Sequence, residues 1–411
     1  MAWEKVKLGD IADVTSSKRV FANQYVDKGI PFYRQKEIIE RNNKQEISDP
    51  LFISQDLYDD IKKKYGVPQK NDLLITGVGA TLGIPYVIGN ETFYFKDGNL
   101  IWVKNFSSKA NPKYIYYYMS SDAGQKAMWS RTIGAAQPAL TIDIVKQYEI
   151  PLPDIKIQKR IADILSAYDN LIENNQKQIK LLEEAAQRLY KQWFIDLRYP
   201  GHETTPIIDG LPEGWRKEKL GNVIEYIRGT SYTSSELSDS DGVLMVNLKN
   251  INAFGGYKRN AEKRFTGKYK ENGILESGDL VMGCTDMTKE RRLVGHVALI
   301  PNLKERAVFT MDLLKILSKT ISKTFLYAQC RFGGLSYKIA PLANGANVLH
   351  LRPENMADIE VLCPAKSIVE MYDNVFASMI SKIEKLEDQI QLASESRNRL
   401  LPKLMNGELG V

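Results

Sequence analysis

The chain has 411 residues, 43% of them hydrophobic and 26% charged, which is the composition of a globular protein with more than one core. No apolar run approaches the roughly 20 residues needed to span a membrane, and the charged start MAWEKVKLGD is unlike a secretory signal, so we expect a cytoplasmic protein. Three scattered cysteines and three scattered histidines argue against a disulfide framework and a metal centre.

The net charge of +6 suits a polyanionic partner without demanding one. Its surplus lies in two blocks: residues 1–150 carry 20 basic and 17 acidic side chains, and residues 201–362 carry 22 and 19. We therefore expect any contact with a polyanion to involve local patches on these two blocks.

The first block alternates short predicted strands with helices. Apolar runs such as DLLIT, YVI and LIWV, punctuated by glycines, predict strands, whereas QDLYDDIKKKYG and PKYIYYYMSSDAGQKAM predict helices. These patterns predict a mixed α/β domain over residues 1–153.

A long helix with a coiled-coil seam is predicted next, over residues 154–197. Its apolar residues recur in alternating steps of three and four, which is heptad spacing. The seam includes Leu165, Tyr168, Ile172, Ile179, Leu182 and Leu189. Asn175 interrupts it, and a polar residue at such a position ordinarily fixes the register. Prolines and glycines then predict a linker over residues 198–213.

The second half of the chain repeats the first. WEKVKLGDIA at Trp3 returns as WRKEKLGNVI at Trp215, and EIPLP at Glu149 returns as EVLCP at Glu360. The repeat predicts a second α/β domain over residues 214–364 and a second long helix over residues 365–411. Its seam falls on the first after a shift of 211 residues and is interrupted by Arg397. The seam includes Phe376, Met379, Ile383, Leu386, Ile390 and Leu400.

The layout and the helix-end motifs resemble a known family. Both domains begin with W-x-x-x-x-L-G, LYKQWFIDLRYPGHE follows the first long helix, and RLLPKLMNGEL ends the second. With these features the chain resembles the specificity subunit of type I restriction-modification enzymes, the HsdS family, over essentially its whole length. The helix-end motifs are specific to that family, whereas its domain sequences vary with the DNA sequence that each member reads.

The resemblance implies a DNA-reading scaffold. Each α/β domain would be a target recognition domain for one half of a split DNA site, and the two long helices would pack antiparallel as a spacer, giving a pseudo-twofold. The subunit would assemble with two methyltransferase subunits and with restriction subunits. S-adenosylmethionine belongs to the methyltransferase subunits, and ATP and magnesium belong to the restriction subunits, so we expect no cofactor here.

Enzyme motifs are weak in this sequence. The loop TGVGATLG lacks the lysine and the Ser/Thr of a P-loop. NPKY at Asn111 has a lysine where the N-P-P-Y loop of adenine methyltransferases has its second proline. We therefore expect this chain to catalyse nothing by itself.

Candidate DNA contacts are polar and basic side chains on the predicted loops, because such groups read base edges and bind phosphates. In the first domain they are Ser17, Lys18, Arg19, Tyr33, Arg34, Lys36, Thr76, Gly77, Gly79, Thr81, Arg131 and Gln137. In the second domain they are Arg228, Thr230, Tyr232, Asn247, Lys249, Thr285, Thr288, Lys289, Arg291, Arg292 and Asn347.

These candidates differ in strength. Arg291 and Arg292 are the strongest, because adjacent arginines in a glycine-flanked loop suit phosphate or guanine. SRTIGAAQP, which contains Gln137, resembles the G-x-x-Q-P segment of the family, but NGAN in the second repeat lacks the Q-P pair. For each single residue, a solvated loop or a helix cap is an equally good explanation.

Two other functions fit the same sequence. One is the specificity subunit of a fused, type II-like restriction-methylation enzyme, which the neighbouring genes would distinguish. The other is a coiled-coil interaction protein with two ligand-binding domains and no DNA role, which the modest net charge permits.

Overall fold

A computed structural model describes residues 3–43, 45, 47–132 and 138–411. The chain forms two compact units, each built from two separate stretches. Unit 1 comprises Met1–Asn174 with Gln389–Val411, and unit 2 comprises Asn175–Asp388. Each unit thus joins one α/β domain to half of each long helix. This division differs from the sequence-based boundaries, which separate whole helices from the domains, because the helix halves share their apolar cores with the domains.

The domain of unit 1 contains two four-stranded sheets. The first is antiparallel, with the strands in the order Asp13–Thr15, Leu100–Lys104, Leu73–Thr76 and Pro85–Val87. The second has one parallel pair at its end, in the order Tyr25–Val26, Leu51–Ile53, Ile30–Tyr33 and Tyr94–Phe95. A further pair joins Lys5–Lys7 to Glu149–Pro151. The helices are Leu8–Ile11, Gln35–Asn42, Gln55–Tyr65, Pro112–Ser120, Asp122–Trp129 and Ile142–Lys146.

The domain of unit 2 repeats this topology with one additional strand, Ile274–Leu275. Its antiparallel sheet has the order Ile224–Arg228, Leu313–Ser318, Leu280–Gly283 and Val297–Leu299. Its second sheet has the order Leu237–Ser238, Lys263–Phe265, Val243–Val246, Ala307–Phe309 and Ile274–Leu275, again with one parallel pair. Further pairs join Arg216–Lys219 to Glu360–Cys363, Thr285–Asp286 to Leu349–His350 and Ile207–Ile208 to Leu211–Pro212. The helices are Leu220–Val223, Lys323–Phe332 and Leu335–Ile339. The predicted tandem repeat of mixed α/β domains is therefore confirmed.

The long helices have the predicted character. The first spans Ile155–Tyr190 and continues as a π-helical turn over Lys191–Ile195, and the second spans Lys366–Met405. Every predicted seam residue is buried or half-buried, because heptad spacing places all of them on one side of each helix. Within the described residues, no helix is both long and apolar enough to cross a membrane.

Each unit shows the same relative direction of the two long helices. In unit 1 the beginning of the first helix lies beside the end of the second, where Arg397 Nη1 is 2.6 Å from Asp169 Oδ1. In unit 2 the end of the first lies beside the beginning of the second, where the ring of Tyr372 packs edge-on against Tyr190 and Phe194. The helices are therefore antiparallel, as the resemblance implied.

The apolar cores include the helix ends. In unit 1, Ile161 and Leu165 of the first helix and Leu404 of the second are buried in the same cluster as the helix Pro112–Ser120. In unit 2, the aromatic side chains around Tyr372 likewise pack the ends of both long helices into the core of the domain. The burial of such side chains stabilises by roughly 1.5–3 kcal/mol each. Each domain is thereby anchored to the helix pair.

Arg397, which interrupts the second seam, pairs with a carboxylate on the first helix. Asp169 Oδ1 accepts a hydrogen bond from Arg397 Nη1 at 2.6 Å, and Asp169 Oδ2 accepts one from the Tyr117 hydroxyl at 2.5 Å. Burial and the Asp169 carboxylate raise the pKa of Tyr117, so the phenol keeps its proton and donates. Asp169 therefore links both long helices and the first domain.

Replacing Arg397 with Ala is expected to destabilise unit 1 by about 1–3 kcal/mol, because the half-buried carboxylate of Asp169 loses its charged partner. Chemical denaturation would measure the change. Arg188→Ala is the matched control, since Arg188 also pairs with a carboxylate but is 82% exposed, and its loss should change stability by less than about 0.5 kcal/mol. Equal effects of the two substitutions would contradict this role of Arg397.

Candidate nucleic-acid interface

Three separate segments of unit 1 converge on one surface. Gln35, at the start of its helix, donates from Nε2 to Val78 O at 2.8 Å and to Thr81 Oγ1 at 3.0 Å. The loop 76–81 also pairs with residues 138–140, since Gly79 N donates to the carbonyl oxygen of Pro138 and Val78 forms a bridge with Ala139. We call these segments loop cluster 1. Gln137 lies outside the described residues.

Some predicted contacts of the first domain are structural instead. Tyr33 is buried and stacks on Phe93 at 4.6 Å between ring centroids. Thr76 is fully buried, donates to Thr81 O and accepts from Ile84 N, because it ends a strand whose side chains are all buried. Packing and internal hydrogen bonds therefore occupy these two side chains within the domain, which disfavours them as DNA contacts, and their role stays a prediction.

Arg34 is also engaged within the domain. Its guanidinium donates to Glu37 and Asp49, at 2.9 Å for the Asp49 carboxylate. Hydrogen bonds to Glu37 and Asp49 raise the pKa of Arg34 above its already high value. This arginine therefore caps the helix Gln35–Asn42 and holds the 49–50 loop beside it.

The other candidates of the first domain, apart from the buried Gly77, lie closer to solvent. Lys36 is exposed, Lys18 is exposed with its Nζ 5.4 Å from the Tyr65 ring centroid, and Arg19 pairs with Asp97 at 2.7 Å. Arg131 is half-buried and donates to the carbonyl oxygen of Ala127. Ser17, Gly79 and Thr81 are half-buried, and Gly77 is buried.

Unit 2 presents an equivalent surface. The strand Thr285–Asp286 pairs with Leu349–His350, which places the loop CTDMTKERR beside NGAN. The equivalent pairing in unit 1 is the bridge between Val78 and Ala139. We call residues 284–294 and 344–350 loop cluster 2. The repeat therefore brings the corresponding predicted loops together in both domains.

Asp286, which the sequence reading missed, organises loop cluster 2. Its Oδ1 accepts from Thr288 N and Thr288 Oγ1 at 2.7 and 2.8 Å, and its Oδ2 accepts from Leu293 N and Val294 N at 2.6 and 3.1 Å. Burial acts to raise the pKa of Asp286, but these hydrogen bonds outweigh it and the net pKa is lowered. The signal in the sequence is Asp-x-Thr, since Asp side chains commonly bond backbone amides two residues on.

Replacing Asp286 with Ala is expected to destabilise unit 2 by about 1.5–3 kcal/mol, because four donors lose a charged acceptor. Since folding lowers this pKa, the carboxylate's contribution is complete above about pH 4 and is lost as pH falls through the folded-state pKa. Denaturation at pH 7 and pH 3 would measure both effects. Asp239→Ala, at an exposed site in the same domain, is the control. A stability difference from wild type that is the same at both pH values would contradict the assignment.

Arg291 and Arg292 project from this fixed loop. Arg291 has a left-handed backbone (φ 51°), and its Nε is buried without a hydrogen-bond partner among the described residues. Arg292 is exposed, with its Nε 3.5 Å from Glu290. Their backbone amides donate to the carbonyl and hydroxyl oxygens of Thr288. The two arginines thus combine an ordered backbone with an Nε on Arg291 that no described residue binds and an exposed Arg292 guanidinium beside Glu290.

Two candidates of the second domain are structural. Asn247 is buried, donates from Nδ2 to Ala261 O and accepts from Lys249 N, so both ends of its amide are hydrogen-bonded within the domain. Thr285 is buried and donates to Asp312 at 3.2 Å. Both lie at strand ends and are buried, which disfavours them as DNA contacts, and their role stays a prediction.

The remaining candidates of the second domain lie at or near the surface. Thr288 is half-buried and bonded to Asp286, Thr230 is half-buried, and Tyr232 is half-buried beneath Lys263 at 5.4 Å. The exposed ones are Arg228, Lys249, Lys289 and Asn347. Their amides and cations are the groups that bind phosphates and base edges. In the described part of the chain, no group of three or more His, Cys, Asp or Glu residues is placed to hold a metal ion.

Comparisons with known proteins found similar sequences and a similar fold among type I restriction-modification specificity subunits. The type I restriction modification DNA specificity domain matches residues 2–184. The MjaIX specificity subunit of Methanocaldococcus jannaschii is 26% identical over 318 residues, covering 73% of this chain and 69% of the relative. The MjaVIII specificity subunit of the same organism is 23% identical over 432 residues, covering 100% and 93%. The fold is similar to the crystal structure of a type I restriction-modification S subunit from M. genitalium, with a TM-score of 0.66, 12% identity and coverage of 98% and 96%.

Proposed function

We propose, because this chain belongs to the HsdS family of type I restriction-modification specificity subunits, that its two domains read the two halves of a split DNA target. DNA sequence specificity is the role of this family. Membership sets aside the coiled-coil interaction protein without a DNA role.

The main support for a bipartite DNA target is that the same loop surface occurs in both domains. Loop clusters 1 and 2 occupy equivalent places in the same sheet topology, beyond the strands Leu73–Thr76 and Leu280–Gly283. Their side chains differ: the first presents a glycine-rich loop and the second presents paired arginines. Two equivalent surfaces with different side chains are suited to two different short DNA sequences.

The antiparallel helix pair would set the distance between the half-sites. At 1.5 Å per residue, the 36-residue first helix is about 54 Å long, compared with about 34 Å for a turn of B-DNA. Buried seam residues and the Asp169–Arg397 pair would make this a stiff spacer. The spacing of the two half-sites would then be a property of the helices and not of the domains.

The catalytic groups would come from partner subunits. Family members are non-catalytic components, and we propose that two methyltransferase subunits bearing S-adenosylmethionine dock on this chain. Restriction subunits bearing ATP and magnesium would complete the nuclease. The assembled complex would act in the cytoplasm on double-stranded DNA.

Selection from random DNA tests this function. The chain, assembled with its methyltransferase subunits, would be used to enrich sequences from a pool of random duplexes, which are then sequenced. The expected result is two short invariant half-sites with one fixed gap of unspecified bases. Enrichment of a single continuous site, or of no sequence, would contradict the proposal.

A further inference from the structure

We propose that Phe254 and Tyr337 form an apolar contact surface that packs against one base of the second DNA half-site. The inference rests on the proposed function, since it assigns a ligand to side chains beside loop cluster 2. Neither residue belongs to a predicted contact segment. We call this pair the aromatic shelf.

The shelf consists of large rings that solvent can reach. Phe254 is 42% exposed and Tyr337 is 58% exposed, and their ring planes lie 23° apart with centroids separated by 6.3 Å. Single exposed apolar side chains are common on protein surfaces. Here, however, the fold stacks two aromatic rings that are 83 residues apart in the sequence, so their pairing is a specific feature of the tertiary structure.

The backbone beneath Phe254 is fixed in an unusual conformation. Its φ of 64° is left-handed, a backbone conformation that bulky residues rarely adopt. Phe254 N donates to the carbonyl oxygen of Arg292 at 2.8 Å, and Arg331 Nη1 donates to Phe254 O at 2.9 Å. Arg331 is itself 3.5 Å from Glu183 of the first long helix. The ring is therefore held in place by groups on three separate segments.

A third ring supports the shelf from within. His296 is 2% exposed and meets the Phe254 and Tyr337 rings edge-on, with centroids at 5.6 and 5.3 Å. Burial, reinforced by the Arg331 guanidinium, lowers the pKa of His296. The imidazole is thus neutral at pH 7 and packs as an aromatic ring. The shelf is preorganised, so ligand contact does not have to order it.

The charges around the shelf favour DNA as the occupant. The backbone of Arg292 bonds to that of Phe254, which brings the segment with Arg291 and Arg292 beside the shelf, although Arg292 also pairs with Glu290. The exposed Lys338 follows Tyr337. Basic groups beside exposed aromatic rings are the combination that binds phosphates and bases together. In the first domain the helix Gln35–Asn42 occupies the equivalent stretch of chain, so the contact would belong to the second half-site alone.

A base-removal scan tests the shelf. The chain assembled with its methyltransferase subunits would bind duplexes in which each base of the selected target is replaced in turn by an abasic site. Removal of the base at one or two positions of the second half-site is expected to weaken binding by the wild-type chain. In the Phe254→Ala variant, removal of the same bases should weaken binding no further. On intact DNA, Phe254→Ala should weaken binding about 10- to 150-fold, because the variant loses the burial of an aromatic ring against a base edge. Phe254→Tyr, which keeps the ring, should restore most of it.

Phe21→Ala is the matched control, because Phe21 is 60% exposed and lies in the other unit. It should leave both half-sites unchanged, and each variant's unfolding midpoint would be compared with wild type. A loss of affinity that couples to no base position would overturn the proposal. Weaker assembly with the methyltransferase subunits at unchanged DNA affinity would overturn it too, by assigning the shelf to a protein partner. Failure of the proposed function is distinguishable, since wild-type complex would then select no split sequence.

Discussion

Inserting one heptad into each long helix is expected to lengthen the gap between the half-sites by about three base pairs. Seven residues would be added after Lys180 and seven, in register, after Gln391. They add about 10.5 Å of helix, and each base pair of B-DNA rises about 3.4 Å. Because seven residues preserve the seam, the helices should still pack. Methylation at the original spacing should be lost, while the bases of both half-sites stay the same.

Selection of bound sequences from random DNA would measure the new gap. The control adds the same seven residues after Gly210, in the turn between Ile207–Ile208 and Leu211–Pro212, where they lengthen no helix. That variant should keep the original gap. An unchanged gap in the heptad variant, with binding retained, would refute the helix pair as the spacer.

Replacing Arg291 and Arg292 together with Ala is expected to weaken or relax recognition of the second half-site only. A guanidinium that binds a base edge contributes about 1–3 kcal/mol of discrimination, so loss of the pair should weaken binding about 30- to 10⁴-fold. Loss of a phosphate contact would instead weaken binding to all sequences alike. It would also reduce the slope of log affinity against log salt concentration by about one for each arginine. Binding to targets mutated at each position, at two salt concentrations, separates these roles.

Arg306→Ala provides the control for the arginine pair. Arg306 is a half-exposed arginine of the same domain, paired with Glu271 at 3.0 Å and distant in sequence from loop cluster 2. Its loss should leave both half-sites intact. Loss of the first half-site in the Arg291 and Arg292 variant would reverse the assignment of domains to half-sites.

The sequence predicted the architecture well because duplication constrains it. The motifs EIPLP and EVLCP, related by an offset of 211 residues, became the strands Glu149–Pro151 and Glu360–Cys363, each paired with the strand that opens its domain. Heptad spacing identified the buried side of both helices, since periodicity depends on backbone geometry alone. The hydrophobic pattern of the sequence therefore predicts those features that depend on which face of a helix or strand is apolar.

Individual contacts were harder to predict, because spacing locates a loop without showing which side chains turn inward. Tyr33 and Asn247 lie in predicted loop segments, yet the Tyr33 ring packs on Phe93 and the Asn247 amide bonds to Ala261 and Lys249. The partner of Arg397, Asp169, is 228 residues away in the sequence. Asp286 and the aromatic shelf likewise depend on contacts between distant segments. Only the folded chain brings those residues together.

Single-molecule sequencing of genomic DNA, in cells that express this chain with its methyltransferase subunits, would show whether the two domains read a split target. We expect methylated adenines on both strands of one split motif with a fixed gap. Exchange of residues 214–364 for those of a relative should change one half of that motif and leave the other half and the gap unchanged. Absent or random methylation, a continuous motif, or a change in both halves would contradict the account.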